Sequence, residues 1–191
     1  MALRLFAAVV PPADALEHLE AFLEPRRPSG DFRWTATEQL HVTLAFMAKV
    51  EEWRAEEYVG LLAAGLAGLP VPVVRIAGPV AFPNAARARV LATGVVAESE
   101  GADDVLARIA GKARSAAVKC GIEVDGQRFR PHVTLARTGR PTEVTNWVRL
   151  LETYVGPEWP VSEVEVVSSH LGEGPRRRPR YETVARVPVG G

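Results

Sequence analysis

Cysteine is nearly missing from this sequence: of 191 residues only Cys120 is one. That excludes an internal disulfide and any zinc or iron-sulfur site built on several cysteines, and it fits a reducing, cytoplasmic setting. Net charge is missing as well. With 23 basic and 23 acidic side chains, no global attraction draws the chain to a polyanion, so an anionic partner has to be met by a local patch. No apolar run approaches the ~20 residues of a membrane span, and no membrane association is expected. The opening "MALRLFAAVVPPADA" has the outline of a secretion signal, but its apolar stretch stops at Pro11. That is short for an h-region of about 7–15 residues, so a buried first strand is the better reading. Neither GxxxxGK[ST] nor a GxGxxG after a strand occurs, so nothing indicates a nucleoside triphosphate. Histidine is scarce, at four residues, and no His or Cys stands at helical ligand spacing. Neither a metal nor a cofactor is expected.

What is present is ordinary globular composition, 47% apolar and 24% charged, in a chain long enough for a sizeable core. Leu3 to Val10 reads as a buried strand. Ala13 to Glu24 reads as a helix with Ala15, Leu16, Leu19, Phe22 and Leu23 on one stripe, stopped at Pro25. A strand at 40–46 precedes a long helix from Glu51 to Leu66, strands follow at Val71 to Ala77 and Ala88 to Val96, and a helix from Ala102 to Lys119 closes on Gly121. From there the chain repeats itself. His132 lies 91 residues after His41, a helix start near Thr142 lies 91 after Glu51, Val161 lies 90 after Val71, and Arg180 lies 91 after Arg89. Such offsets point to a duplicated strand-helix-strand-strand unit. The expected fold is α+β, one compact body over 1–191 of two pseudo-symmetric lobes. Antiparallel sheets then flank a central cleft, where a site belongs.

The clearest repeat is one word. "QLHVTLAF" and "RPHVTLAR" place His-Val-Thr-Leu-Ala at 41–45 and 132–136. In a strand His41, Thr43 and Ala45 share one face while Val42, Leu44 and Phe46 share the other, and His132, Thr134 and Ala136 do the same in a strand at 131–136. Sheet packing alone would accept Gln, Ser or Val at both histidine positions, so their recurrence asks for a shared use. Two imidazoles and two hydroxyls converging across a cleft suit metal-free displacement at phosphorus. One ring takes a proton from the attacking oxygen, the other gives one to the leaving oxygen, and the threonines donate to the nonbridging oxygens. Pseudo-symmetry leaves open which histidine does which.

Other residues read more plainly. His18 is a solvated helix residue, His170 ends a strand in a structural role, and Cys120 packs at a helix end. Among the arginines, Arg130 shares the strand parity of His132 if that strand runs back through Pro131, which would put its guanidinium on the same phosphate. The "RRRPR" run, with Arg177 at its centre, offers contacts to the backbone phosphates of a longer RNA, or is a solvated loop.

"RLFAAVVPP", "RWTATEQLHVTLAF", "GPVAFPNAARARVL", "RFRPHVTLAR" and "RYETVARVPV" together resemble the RNA 2′,3′-cyclic phosphodiesterases, also called 2′-5′ RNA ligases, of the two-histidine phosphoesterase superfamily. The resemblance covers nearly the whole chain, with Ala48, Ala88 and Ala92 as departures away from the HxT motifs. It implies a bilobal fold, RNA ends bearing a 2′,3′-cyclic phosphate as partner, hydrolysis to a 2′-phosphate, and reversible ATP-independent joining through a 2′-5′ bond. It also implies that His41 protonates the leaving 3′-oxygen, that His132 activates water, and that Thr43 and Thr134 hold the phosphate. Phe82, in the "AFP" turn, is a candidate for stacking on a base, with core packing as the alternative. A monomer is expected. Activity on another small cyclic or 2′-5′-linked nucleotide is the competing enzymatic reading; an RNA-end binding module without turnover is the competing class.

Overall fold

The computed structural model describes residues 2–99 and 101–191. In chain order its elements are β1 (Ala2–Val9), α1 (Ala13–Leu23), β2 (Arg33–Trp34), β3 (Val42–Glu51), α2 (Glu52–Leu66), β4 (Val73–Phe82), β5 (Ala88–Ala97), α3 (Ala102–Lys119), β6 (His132–Thr142), α4 (Thr145–Leu151), β7 (Val155–Pro160), β8 (Glu163–His170) and β9 (Arg180–Pro188). The apolar stripe of α1 buries Ala15, Leu19 and Leu23, as its spacing requires. Gly121 takes the left-handed conformation, φ 67°, that ends α3. There Arg54 donates to the freed carbonyls of Cys120 and Gly121 at 2.6 and 2.8 Å. No helix among the described residues is long and apolar enough to cross a membrane.

All the strands join one antiparallel sheet in the order β7-β4-β5-β6-β3-β1-β8-β9, with β2 added beside β6. The sheet has a seam. Where β6 meets β3, a single registered pair among the described residues, Val42 opposite Val133, joins the ladders of two four-stranded halves. β3 and β6 flank the seam, β1 and β5 stand next to them, β8 and β4 come third, and β9 and β7 form the outer edges. Helices α2 and α3 pack on the β3 half, against β9 and β3; α1 and α4 pack on the β6 half, against β7 and β4.

By position, then, β1-α1-β3-α2-β4 answers β5-α3-β6-α4-β8, and the third strand of each repeat is given to the other half. The rhyme of 90 to 91 residues holds for β3 with β6 and for β4 with β8. It does not make counterparts of the strands at Arg89 and Arg180: β5 lies against the seam strand, while β9 is an edge. The exchange ties the halves together, and one apolar core includes Leu5, Leu44 and Met47 from one half with Leu91, Val133 and Leu135 from the other. On the opposite face a smaller cluster of Phe6, Ala8 and Val167, with Phe46 and Tyr181 packed against it, floors a cleft along the seam.

Candidate active site

Both HxT words sit at the seam. His41 immediately precedes β3, and His132 is the first residue of β6. With Val42 opposite Val133 in antiparallel register, His41 comes level with Thr134 and Thr43 with His132. All four side chains line one cleft of about 670 Å³, so the two histidines and two threonines singled out from the sequence are brought together.

Each imidazole is held in the same way. His41 Nδ1 bonds the carbonyl oxygen of Gln39 at 2.7 Å, and His132 Nδ1 bonds that of Arg130 at 2.6 Å. A carbonyl can only accept, so Nδ1 carries the hydrogen in both rings and Nε2 is left to exchange a proton. Aromatic neighbours fix the ring planes. Phe6 stacks on His41 with centroids 4.7 Å apart, and Tyr181 meets it edge-on at 5.7 Å. Phe82 meets His132 edge-on at 4.9 Å. Burial pushes the pKa of both histidines below the ordinary value; the carbonyl bonds oppose this. For His41 the charges of His132 and Arg137 add to the depression, and for His132 those of Arg130 and Arg137.

Strict alternation along the HVTLA strands fails just after the threonines. Opposite β1, Ala7 pairs with Ala45 and Ala8 with Thr43, so Leu44 is an extra residue; opposite β5, Leu91 pairs with Ala136 and Ala92 with Thr134, so Leu135 is extra. These are β-bulges at matching places, and each flips the facing of the residues beyond it. Ala45 and Ala136, expected on the cleft face, are buried. Phe46, expected in the core, and Arg137 line the cleft instead.

Arg130 does not line the cleft: its guanidinium lies over the ring of Phe82, 5.4 Å from the centroid. The parity argument needed a strand running through Pro131, whereas β6 starts at His132. Phe82 is likewise outside the cleft lining and supports the His132 ring from the side. Arg177 does line the cleft. Six arginines do so in all, Arg4, Arg33, Arg137, Arg176, Arg177 and Arg178, with no carboxylate among the described lining residues. In a chain of zero net charge this is a strongly concentrated cationic surface, suited to a polyanion. Sequence reading missed Arg4, Phe6, Trp34 and Tyr181 because they come to the histidines through the pairing of strands distant in sequence, and it put Phe46 in the core because the bulge does not show in the sequence. No local signal marks them.

Comparison with known proteins adds a second line of observation. The profile of the 2′-5′ RNA ligase superfamily matches residues 11–173. A Thermus thermophilus protein named RNA 2′,3′-cyclic phosphodiesterase is 30% identical over 177 residues, which span 88% of this chain and 83% of the relative. One of the same name from Aeropyrum pernix is 33% identical over 154 residues, 78% of this chain and 82% of the relative. Among solved structures, that of E. coli LigT complexed with 3′-AMP matches with a TM-score of 0.75 at 26% identity over 99% of each chain.

Proposed function

The chain belongs to the 2′-5′ RNA ligase superfamily, and from that premise we propose that it hydrolyses RNA 2′,3′-cyclic phosphate ends to 2′-phosphates by paired-histidine acid-base catalysis. The observation that carries the reading is the meeting of two HxT motifs at the seam, each imidazole with its Nδ1 hydrogen bound to a carbonyl and its Nε2 free for the reaction. His132 takes a proton from the attacking water, and the oxygen adds to phosphorus. The bond to the 3′-oxygen breaks, and that oxygen takes a proton from His41. Thr43, Thr134 and Arg137 donate to the nonbridging oxygens, where charge grows in the transition state.

The depressed pKa values suit the free enzyme to this cycle. Both rings are mostly neutral near pH 7, and an arriving phosphate anion lifts their affinity for protons, so that one ring becomes the acid while the other stays a base. If the 5′-hydroxyl of a second RNA replaces water, the same groups join two ends through a 2′-5′ bond without ATP. The chain acts as a single body of two pseudo-symmetric lobes, a cytoplasmic monomer, with no part for a metal in the proton transfers.

The test is turnover of an RNA ending in a 2′,3′-cyclic phosphate, with 2′- and 3′-phosphate products resolved by chromatography. The 2′-phosphate is expected. Accumulation of 3′-phosphate reverses the leaving group and refutes the assignment of His41; binding without turnover leaves an RNA-end binding module.

A further inference from the structure

The pseudo-two-fold axis through the seam relates the two HxT motifs, but it does not relate the residues that come after them. Three residues beyond Thr43 the cleft meets Phe46, and three beyond Thr134 it meets Arg137. Each is completed from a neighbouring strand by the other residue type. On the β3 side Arg4 of β1 lays its guanidinium over the Phe46 ring, 4.4 Å from the centroid. On the β6 side β2 pairs Arg33 with Arg137 and Trp34 with Ala136, and Trp34 lines the cleft. Each end of the cleft therefore carries one aromatic ring and arginine, with the strands that supply them exchanged.

An aromatic ring or a guanidinium plane is what an unstacked nucleobase rests on, because every base has a π-face and the stack tolerates any sequence. Two such platforms with the phosphate-handling groups between them match a phosphorus that bears a nucleoside on each side. The ends also differ in charge. The run of Arg176, Arg177 and Arg178 lies at the cleft on the loop joining β8 to β9, in the β3 half. Gln39 Nε2 anchors that loop by donating to the carbonyl oxygen of Pro179 at 2.7 Å. Three arginines in line suit the successive phosphates upstream of an RNA 3′ end.

We propose that the cleft holds two nucleobase subsites, the Arg4–Phe46 pair receiving the base of the nucleoside that carries the cyclic phosphate and Trp34 receiving the base of the nucleoside that carries the 5′-oxygen. This rests on the reading of the cleft as a cyclic phosphodiesterase site. Trp34 lines the cleft and is held in place on its other sides: its ring meets Trp147 at 5.2 Å and Phe32 at 5.6 Å, both edge-on, and the Arg27 guanidinium, which does not line the cleft, lies over it 5.6 Å from the centroid.

The experiment compares two substrates on each variant. One is a short RNA ending in a 2′,3′-cyclic phosphate, which has no nucleoside beyond phosphorus. The other is a 2′-5′-linked dinucleoside monophosphate. In its cleavage the vicinal 3′-hydroxyl gives its proton to one histidine and attacks phosphorus, the P–O5′ bond breaks, and the 5′-oxygen takes a proton from the other histidine. The products are a 2′,3′-cyclic phosphate and a nucleoside with a free 5′-hydroxyl. The quantity read is the ratio of kcat/KM for the dinucleotide to that for the cyclic end. Trp34→Leu is expected to lower this ratio about 5- to 150-fold, the effect of losing one base stack, and Trp34→Phe to restore most of it. Phe46→Leu lowers both rates, so the ratio stays within about twofold. A thermal melt confirms that each variant is folded, and the Phe variant separates lost stacking from lost packing. An unchanged ratio in Trp34→Leu overturns the proposal. So does a wild-type protein that hydrolyses cyclic ends but never cleaves the dinucleotide, with the phosphodiesterase reading left standing; failure on cyclic ends defeats that reading instead.

Discussion

Replacing Arg137 with Gln should move the pH profile and the rate together, because this side chain acts on the site twice. Its charge lowers the pKa of both His41 and His132, and its guanidinium makes no hydrogen bond or ion pair with the protein among the described residues, so it is available to a phosphate. A hydrogen bond to a charged group is worth roughly 1.5–3 kcal/mol, or about 10–150-fold in rate. Arg137 is exposed, so solvent screening places the loss towards the lower end, at about 10- to 30-fold in kcat/KM. The direction of the pH effect follows from the sign. Removing a positive neighbour raises both imidazole pKa values; the base must be neutral, so the acid limb moves up, and the acid must be protonated, so the alkaline limb moves up as well. The whole bell is displaced to higher pH. Arg137→Lys keeps the charge and should leave the bell in place while losing the two-point geometry of the guanidinium. The assay is kcat/KM on a cyclic-phosphate RNA end from pH 5 to 9. A Gln variant within twofold of wild type and with an unmoved bell refutes this account of Arg137.

His41→Ala and His132→Ala should each forfeit about 10²–10⁴-fold in single-turnover rate, and the double variant should be little worse than either, since both rings act on one transition state; additive losses would contradict a shared step. Thr43→Ala and Thr134→Ala should cost less, about 10–150-fold in kcat/KM for one hydrogen bond to a charged oxygen. Activity should survive excess EDTA, and loss restored by zinc or manganese would exclude the metal-free scheme. Stability of the free protein should fall as the pH drops below about 6.5, because the folded pKa values of His41 and His132 lie below the unfolded one and the unfolded chain then binds more protons. Urea midpoints between pH 7.5 and 5 should accordingly fall less in His41→Gln than in wild type, and parallel curves would show that His41 does not contribute.

Much of this architecture is readable from the sequence because the signals are local. The stripe of α1, the stop at Gly121 and the 91-residue offsets need only short-range rules, and the doubled HVTLA word is informative because sheet packing does not ask for histidine twice. The exchange of third strands is not readable that way, since an offset says that two segments are alike and not which half each one joins. β2 escapes because two residues form no periodic pattern, and β7 because "VGPEWP" carries two prolines. The helix expected near Thr142 starts at Thr145, as β6 runs on through Pro141 to Thr142. Arg130 shows how a parity argument depends on where its strand begins. Arg137 stands three residues beyond Thr134, and a regular strand would turn it away from His132; a bulge is an insertion in pairing, visible only once the partner strand is known.

Under the proposed mechanism, the paired bulges also account for how a duplicated scaffold would give two like histidines different roles. Leu44 and Leu135 occupy the same place in the two repeats, so both halves keep the HxT geometry and the same Nδ1 bond to the carbonyl two residues back. Burial depresses both imidazoles in the same direction, so their own surroundings do not divide them into acid and base. The difference lies in the residue each bulge presents next, Phe46 in one half and Arg137 in the other, with Arg4 and Trp34 supplied in the reverse sense. In the proposed cycle a nucleotide bound across the seam would meet unlike ends, and its orientation would decide which imidazole stands behind the attacking oxygen and which beside the leaving one. The two imidazoles share the Nδ1 bond and the direction of their depression while the binding surface does not repeat, so under the proposed mechanism the division of labour between His41 and His132 would be imposed by the substrate's direction in the cleft.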